Sequence, residues 1–160
     1  MSVGSVVIGL QASHGDGRGV TTAEFLAALA IQPDEVAGTR ADGWSWSAGI
    51  VYLAVVRYSG FAHVDCTTDA GAQSVAFHAG VVEGFRTAGR FLDRRPPKVT
   101  SALRAAGLSL RLFVDVRMDQ DQMEIEFPPE LLAACSRHNL GVYLISNDIP
   151  TVEVLEARHA

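Results

Sequence analysis

Cysteine, basic charge and long apolar runs are all scarce in this chain, and each scarcity removes a class of protein. Two cysteines in 160 residues, Cys66 and Cys135, are too few for a disulfide framework and fit a reducing compartment. Lysine and arginine number 13 against 18 acidic residues, a net charge of −5, and they form no cluster. Nucleic acids are held largely by phosphate neutralisation, so no nucleic-acid partner is expected. No run approaches the roughly 20 apolar residues that span a bilayer, which argues against a membrane partner. The apolar stretch from Val6 to Leu10 lacks a basic segment before it and is too short for a secretion signal. The expected location is therefore cytoplasmic.

What is present describes a folded domain. Hydrophobic residues make up 48% and charged residues 19%, a balance that excludes global disorder. A chain of this length buries roughly 70% of its unfolded surface as one domain, and no linker or repeat divides residues 1–160. The tail, 151–160, reads as peripheral or interface-forming.

Periodicity predicts the elements. Val6 to Ala12 reads as a strand, and Thr21 to Ala30 as a helix opened by a Thr21–Glu24 capping box. Residues 31–43 read as a loop opened by Pro33 and punctuated by Gly38 and Gly43. Trp44 to Cys66, rich in aromatic and β-branched residues, reads as two strands broken near Ser59 and Gly60. Ala70 to Asp93 carries apolar residues at 75, 82, 85 and 92, as a helix would. Its glycines at 71, 80, 84 and 89 each cost about 1 kcal/mol relative to alanine. Pro96 and Pro97 end that helix, and a short one follows from Lys98 to Ala106 with Gly107 as its C-terminal cap.

The rear third alternates cleanly. "LSLRLFVDVRM" places Leu108, Leu110, Leu112, Val114, Val116 and Met118 on one side, with Ser109, Arg111, Asp115 and Arg117 on the other. "QMEIEF" repeats the alternation, so a hairpin through "DQDQ" is expected, with Val114 facing Phe127 and Arg117 facing Glu124. Pro128 and Pro129 then open a helix that buries Leu131, Leu132 and Cys135 and ends at Asn139 or Gly141. "VYLIS" is the last strand. Hairpins and helices in this order predict an α+β fold, a mainly antiparallel sheet with helices packed on one face. The preferred architecture is a ferredoxin-like sandwich, or a duplicated version of one.

Chemistry is harder to find. "HGDGRG" resembles a phosphate-cradling turn, yet the dinucleotide fingerprint wants a third glycine where Val20 stands, and no Gly-Lys-Ser/Thr follows. The loop reads as a solvent turn in which Arg18 could hold an anion weakly. His63 and Asp65 share one side of a presumed strand, and His78 or His14 would complete a two-histidine, one-carboxylate site for a metal or a general base. Polar strand ends explain these residues as simply. Cys135 and His138 are within reach on a helix, but Cys135 reads as a small core residue. Aromatic residues are the strongest hint: Trp44 and Trp46 alternate onto one side of a strand, and Tyr52, Tyr58 and Phe61 follow. Such surfaces take flat, apolar or cationic ligands, although they also serve simply to cover a core.

At "LAALAIQPDEVAGTRADGWSWSAG" and "LRLFVDVRMDQDQMEIEFPPELLAACSRHNLGVYLISND" the chain resembles a family of uncharacterised bacterial domains. The matching positions are Ile31, Pro33, Asp34, Trp44, Pro129, Glu130, Leu131, Leu132 and Asp148. The resemblance covers about half the chain and implies an α+β fold without an established activity. It also implies a binding role of the immunity type, or that of mobile gene-cassette cargo. The leading expectation is a non-enzymatic binding domain for a partner protein or small molecule, without a cofactor. The alternatives are a metal-dependent or hydrolytic enzyme using His63, Asp65 and His78, and a homodimer.

Overall fold

The computed structural model describes residues 2–16, 27–32, 38–40, 48–60, 68–118 and 125–148. Along them run β1 (Ser2–His14), β2 (Gly38–Arg40), β3 (Ala48–Gly60), α1 (Thr68–Asp93), α2 (Pro97–Ala105), β4 (Leu108–Met118), α3 (Pro129–Arg137) and β5 (Gly141–Asp148). The fold is α+β. One five-stranded sheet has the order β2-β3-β1-β4-β5, antiparallel except where β5 joins β4 in parallel. The first four strands take the order of a ferredoxin-like sandwich. The fold is elaborated by adding β5 through α3, and the described strands contain no second copy of the unit.

Alternation decides which side of the sheet the helices cover. Val6, Ile8, Leu10 and Ala12 of β1 are buried beside Val116, Val114, Leu112 and Leu110 of β4, their register partners. This apolar ladder meets a helical stripe through Val81, Phe85, Ala88 and Leu92 of α1, at spacings of three and four. The stripe passes through Val81 rather than the expected Val82, which is half-buried.

The glycines that weaken α1 in isolation let it lie close on the sheet. A Cβ at Gly84 would sit 3.1 Å from Ile8 Cδ1 and 3.3 Å from Ala54 Cβ, and one at Gly80 would sit 3.2 Å from Val56 Cγ1. Close approach gains dispersion contacts all along the interface, which offsets the lost helix propensity.

The helix ends are tied together by a polar hub. His138, 1% exposed just after α3, has Nε2 2.8 Å from the Leu92 carbonyl and Nδ1 3.1 Å from Thr100 Oγ1. A carbonyl only accepts, so Nε2 carries the hydrogen. Arg104 donates to the carbonyls of His138 and Asn139. Arg95 donates to those of Leu29 and Phe91 and lies 3.7 Å over the Phe91 ring. Helices α1, α2 and α3 therefore form one layer, and among the described residues no helix covers the other side of the sheet.

Several expectations change. The expected loop at 31–43 contains β2, which pairs Gly38–Arg40 with Tyr52–Ile50. Ser59 and Gly60 end β3, where the break is expected, and the second strand expected before Cys66 falls on residues outside the described set. Of the helix expected at 21–30, Ala27 and Ala28 are helical and residues 21–26 lie outside the described set. The hairpin after β4 does not form: both edges of β4 are taken, by β1 and β5, and residues 125–128 are not strand. Phe127 instead packs against Phe85 of α1, the rings tilted at 57° with centroids 5.0 Å apart, and Arg117 pairs with Asp115 at 2.9 Å. Leu132, expected inside, is 48% exposed. Gly107 caps α2 with φ +90°, and Asn139 ends α3 with φ +51°, as the sequence suggests.

Candidate ligand-binding face

The side of the sheet on which no described helix lies is built from the alternate positions of the same strands. One cross-strand row is aromatic: Tyr52 of β3, Gly9 of β1, Phe113 of β4 and Tyr143 of β5 are successive register partners. A β-bulge makes that row possible. Ile8 pairs with Ala54 and Gly9 with Tyr52, so Leu53 is the extra residue. Without it Gly9 would face Leu53, and Tyr52 would fall level with Leu10 on the helix side. Bulges commonly re-aim one side chain in this way, often beside a functional site.

The neighbouring row holds Gln11 and Arg111, with Gly141 beyond. Arg111 leans diagonally over Tyr143, its guanidinium carbon 3.5 Å from the ring centroid. Its Nε donates to Gln11 Oε1. Gly141 leaves open space there, since a Cβ on it would meet nothing within 4 Å. Tyr143, 39% exposed, stacks on Phe113 with ring centroids 6.3 Å apart and planes at 27°. The Asp115 carboxylate on the next row is held by Arg117, not by Arg111. Among the described residues Arg111 has no carboxylate partner. The face thus offers a half-buried cation, oriented from two sides, beside an accessible ring.

The residues singled out from sequence are divided by this geometry. Tyr52 lies in the aromatic row. Tyr58 pairs with Gly4, towards the far end of β3 from that row. Trp44, Trp46, Phe61, Arg18, His63 and Asp65 lie outside the described residues. His78 is exposed on α1 with Nε2 4.0 Å from Glu126 Oε2. It lies near Gly80, which sits over Val56, the partner of Val6. His14 is eight positions further along β1, about 26 Å at the usual strand rise, so His14 and His78 do not share a site. Among the described residues no three His, Cys, Asp or Glu side chains are grouped to hold a metal.

Cys135 and His138 do not form a catalytic pair. The imidazole is committed to Thr100 and Leu92, and burial pushes the Cys135 thiol up to about 11, far from a reactive thiolate. A shallow hollow of about 580 Å³ on the helix layer is lined by Ala28, Lys98, Val99, Ala102 and Leu103. It offers one amine among small apolar groups and no set of converging donors.

Phe113, Tyr143, Arg111 and Gln11 were not singled out from sequence. One signal did exist: Phe113 is an aromatic residue in the polar phase of an otherwise clean alternation. Comparison with family models, curated proteins and solved structures returns no match for this chain.

Proposed function

We propose that this chain is a non-enzymatic binding domain that receives a flat, apolar group on the helix-free side of its sheet. The observation that carries the reading is the bulge at Leu53, which brings Tyr52 into one row with Gly9, Phe113 and Tyr143. A strand irregularity and a glycine in the same row serve a surface rather than a core, because the helix side is already filled by its own ladder. The absence of catalysis in this reading rests on Cys135 and His138, both absorbed into packing. No helix among the described residues is long and apolar enough to cross a membrane. With Cys135 a free buried thiol, we assign the protein to the cytoplasm.

Titrating ¹⁵N-labelled protein with indole tests the reading. Amide shifts are expected at Gly9, Tyr52, Phe113 and Tyr143. Shifts confined to α1, α2 and α3, or none at millimolar indole, would remove it.

A second reading, self-association, is favoured by one observation. Val142, Tyr143 and Leu144 are consecutive exposed hydrophobics on β5, whose outer edge pairs with no described strand. Unprotected apolar edges pair with other strands, and a second copy would do so antiparallel about a two-fold axis. Sedimentation equilibrium should then show a dimer that Leu144→Lys converts to monomer; a monomeric wild type at 100 μM, an order-of-magnitude working concentration for weak dimers, contradicts it.

A further inference from the structure

We infer that the helix-free face recognises a small aromatic carboxylate, with Arg111 as its anion-binding group. The inference rests on the proposed binding role of that face and adds the chemical class of the ligand. A free arginine side chain samples many rotamers, and ordering it on binding is costly. Arg111 is already ordered: one guanidinium face lies on Tyr143 at 3.5 Å, and Nε is engaged by Gln11. What remains is the pair of Nη groups, two parallel N–H donors whose natural acceptor is a carboxylate bound in the guanidinium plane.

Charge and space point the same way. The nearest carboxylate on β4, Asp115, is held by Arg117 at 2.9 Å, so the charge on Arg111 is uncompensated among the described residues. Gly141, directly opposite Arg111 in register, leaves its side of the group open. Tyr143, 39% exposed beside the guanidinium, gives an attached aromatic body an apolar neighbour. A single guanidinium beside a single exposed ring is the size of a small molecule rather than of a protein interface. Gln11 is a positioning residue in this arrangement, and the recognising group is Arg111.

The test compares benzoate, its neutral isostere benzamide, and inorganic phosphate, each titrated into the full chain while the Arg111 Nε–H and Tyr143 amide signals are followed. Benzoate should bind at least about tenfold more tightly than either of the others, because only it has both the two-oxygen anion and the ring. Arg111→Lys should bring benzoate down to the benzamide level while leaving the remaining amide spectrum intact. Gln11→Glu keeps the arginine but supplies an internal carboxylate, and it should also abolish the benzoate preference. Equal shifts from benzamide and benzoate at Tyr143 overturn the carboxylate inference and leave the binding face standing. Phosphate binding as well as benzoate reduces the site to an unspecific anion contact and overturns the inference. If no probe perturbs the face, the inference and the proposed function fall together.

Discussion

Along β1 and β4 a single stretch of backbone carries two unlike surfaces. Even-numbered positions, from Val6 to Ala12 and from Leu110 to Val116, are apolar and buried under the helices. Odd-numbered positions hold Gly9, Gln11, Arg111, Phe113, Asp115 and Arg117, a mixture no dry core would accept without pairing every charge. The helix side is uniform because burial there selects only for volume and hydrophobicity. The other side is heterogeneous and is shaped by the bulge between β1 and β3. One phase of the alternation thus carries the core, and the other carries the face proposed for recognition.

The largest expected effect contrasts adjacent residues across that divide. Leu112→Ala, at a fully buried position, should cost about 4 kcal/mol by urea denaturation. Arg111→Ala should cost about 1 kcal/mol or less, the worth of an exposed cation–π contact and one hydrogen bond. Similar losses at both positions would break the comparison.

The next effect sharpens the account of the helix side. Gly84→Leu places a branched side chain where even a Cβ would be 3.1 Å from Ile8 and 3.3 Å from Ala54. A loss of about 3 kcal/mol is expected from overpacking, although leucine is the better helix former. A gain in thermal midpoint would show that α1 does not depend on close approach.

The smallest effect is a pH dependence from the buried thiol. Burial raises Cys135 from 9.0 to about 11, so the folded state favours the neutral form. Its contribution is complete below pH 9 and is lost as pH rises towards 11, where the unfolded chain ionises first. Stability of the wild type should therefore fall more steeply over this window than that of Cys135→Ala. Parallel curves would mean that the thiol is accessible in the folded state.

Legibility in the sequence follows the same divide. The β4 alternation, the proline-initiated helices and the Gly107 and Asn139 caps could be read directly, because local rules decide them. The hairpin after β4 could not. Its alternation was real, but β4 finds its partners in β1, about a hundred residues earlier, and in β5, beyond a helix. Ile125 and Phe127 spend their hydrophobicity packing on the core instead. Arg111, Gln11 and Tyr143 become neighbours only through the β1–β4–β5 register, so no spacing within one segment marks them as a group. Tyr52 stands out as part of an aromatic run, while the bulge that turns it away from the helices has no signature in its own sequence.

The measurement that bears most directly on the division of labour is urea denaturation of the double variant Arg111→Ser, Tyr143→Ser, with indole titrated into the same protein. If the helix-free face serves recognition, the variant keeps its stability within about 1–2 kcal/mol and loses the indole-induced shifts at Gly9 and Phe113. A loss of several kcal/mol would instead make that face a second core, and retention of the indole response would place the binding surface elsewhere.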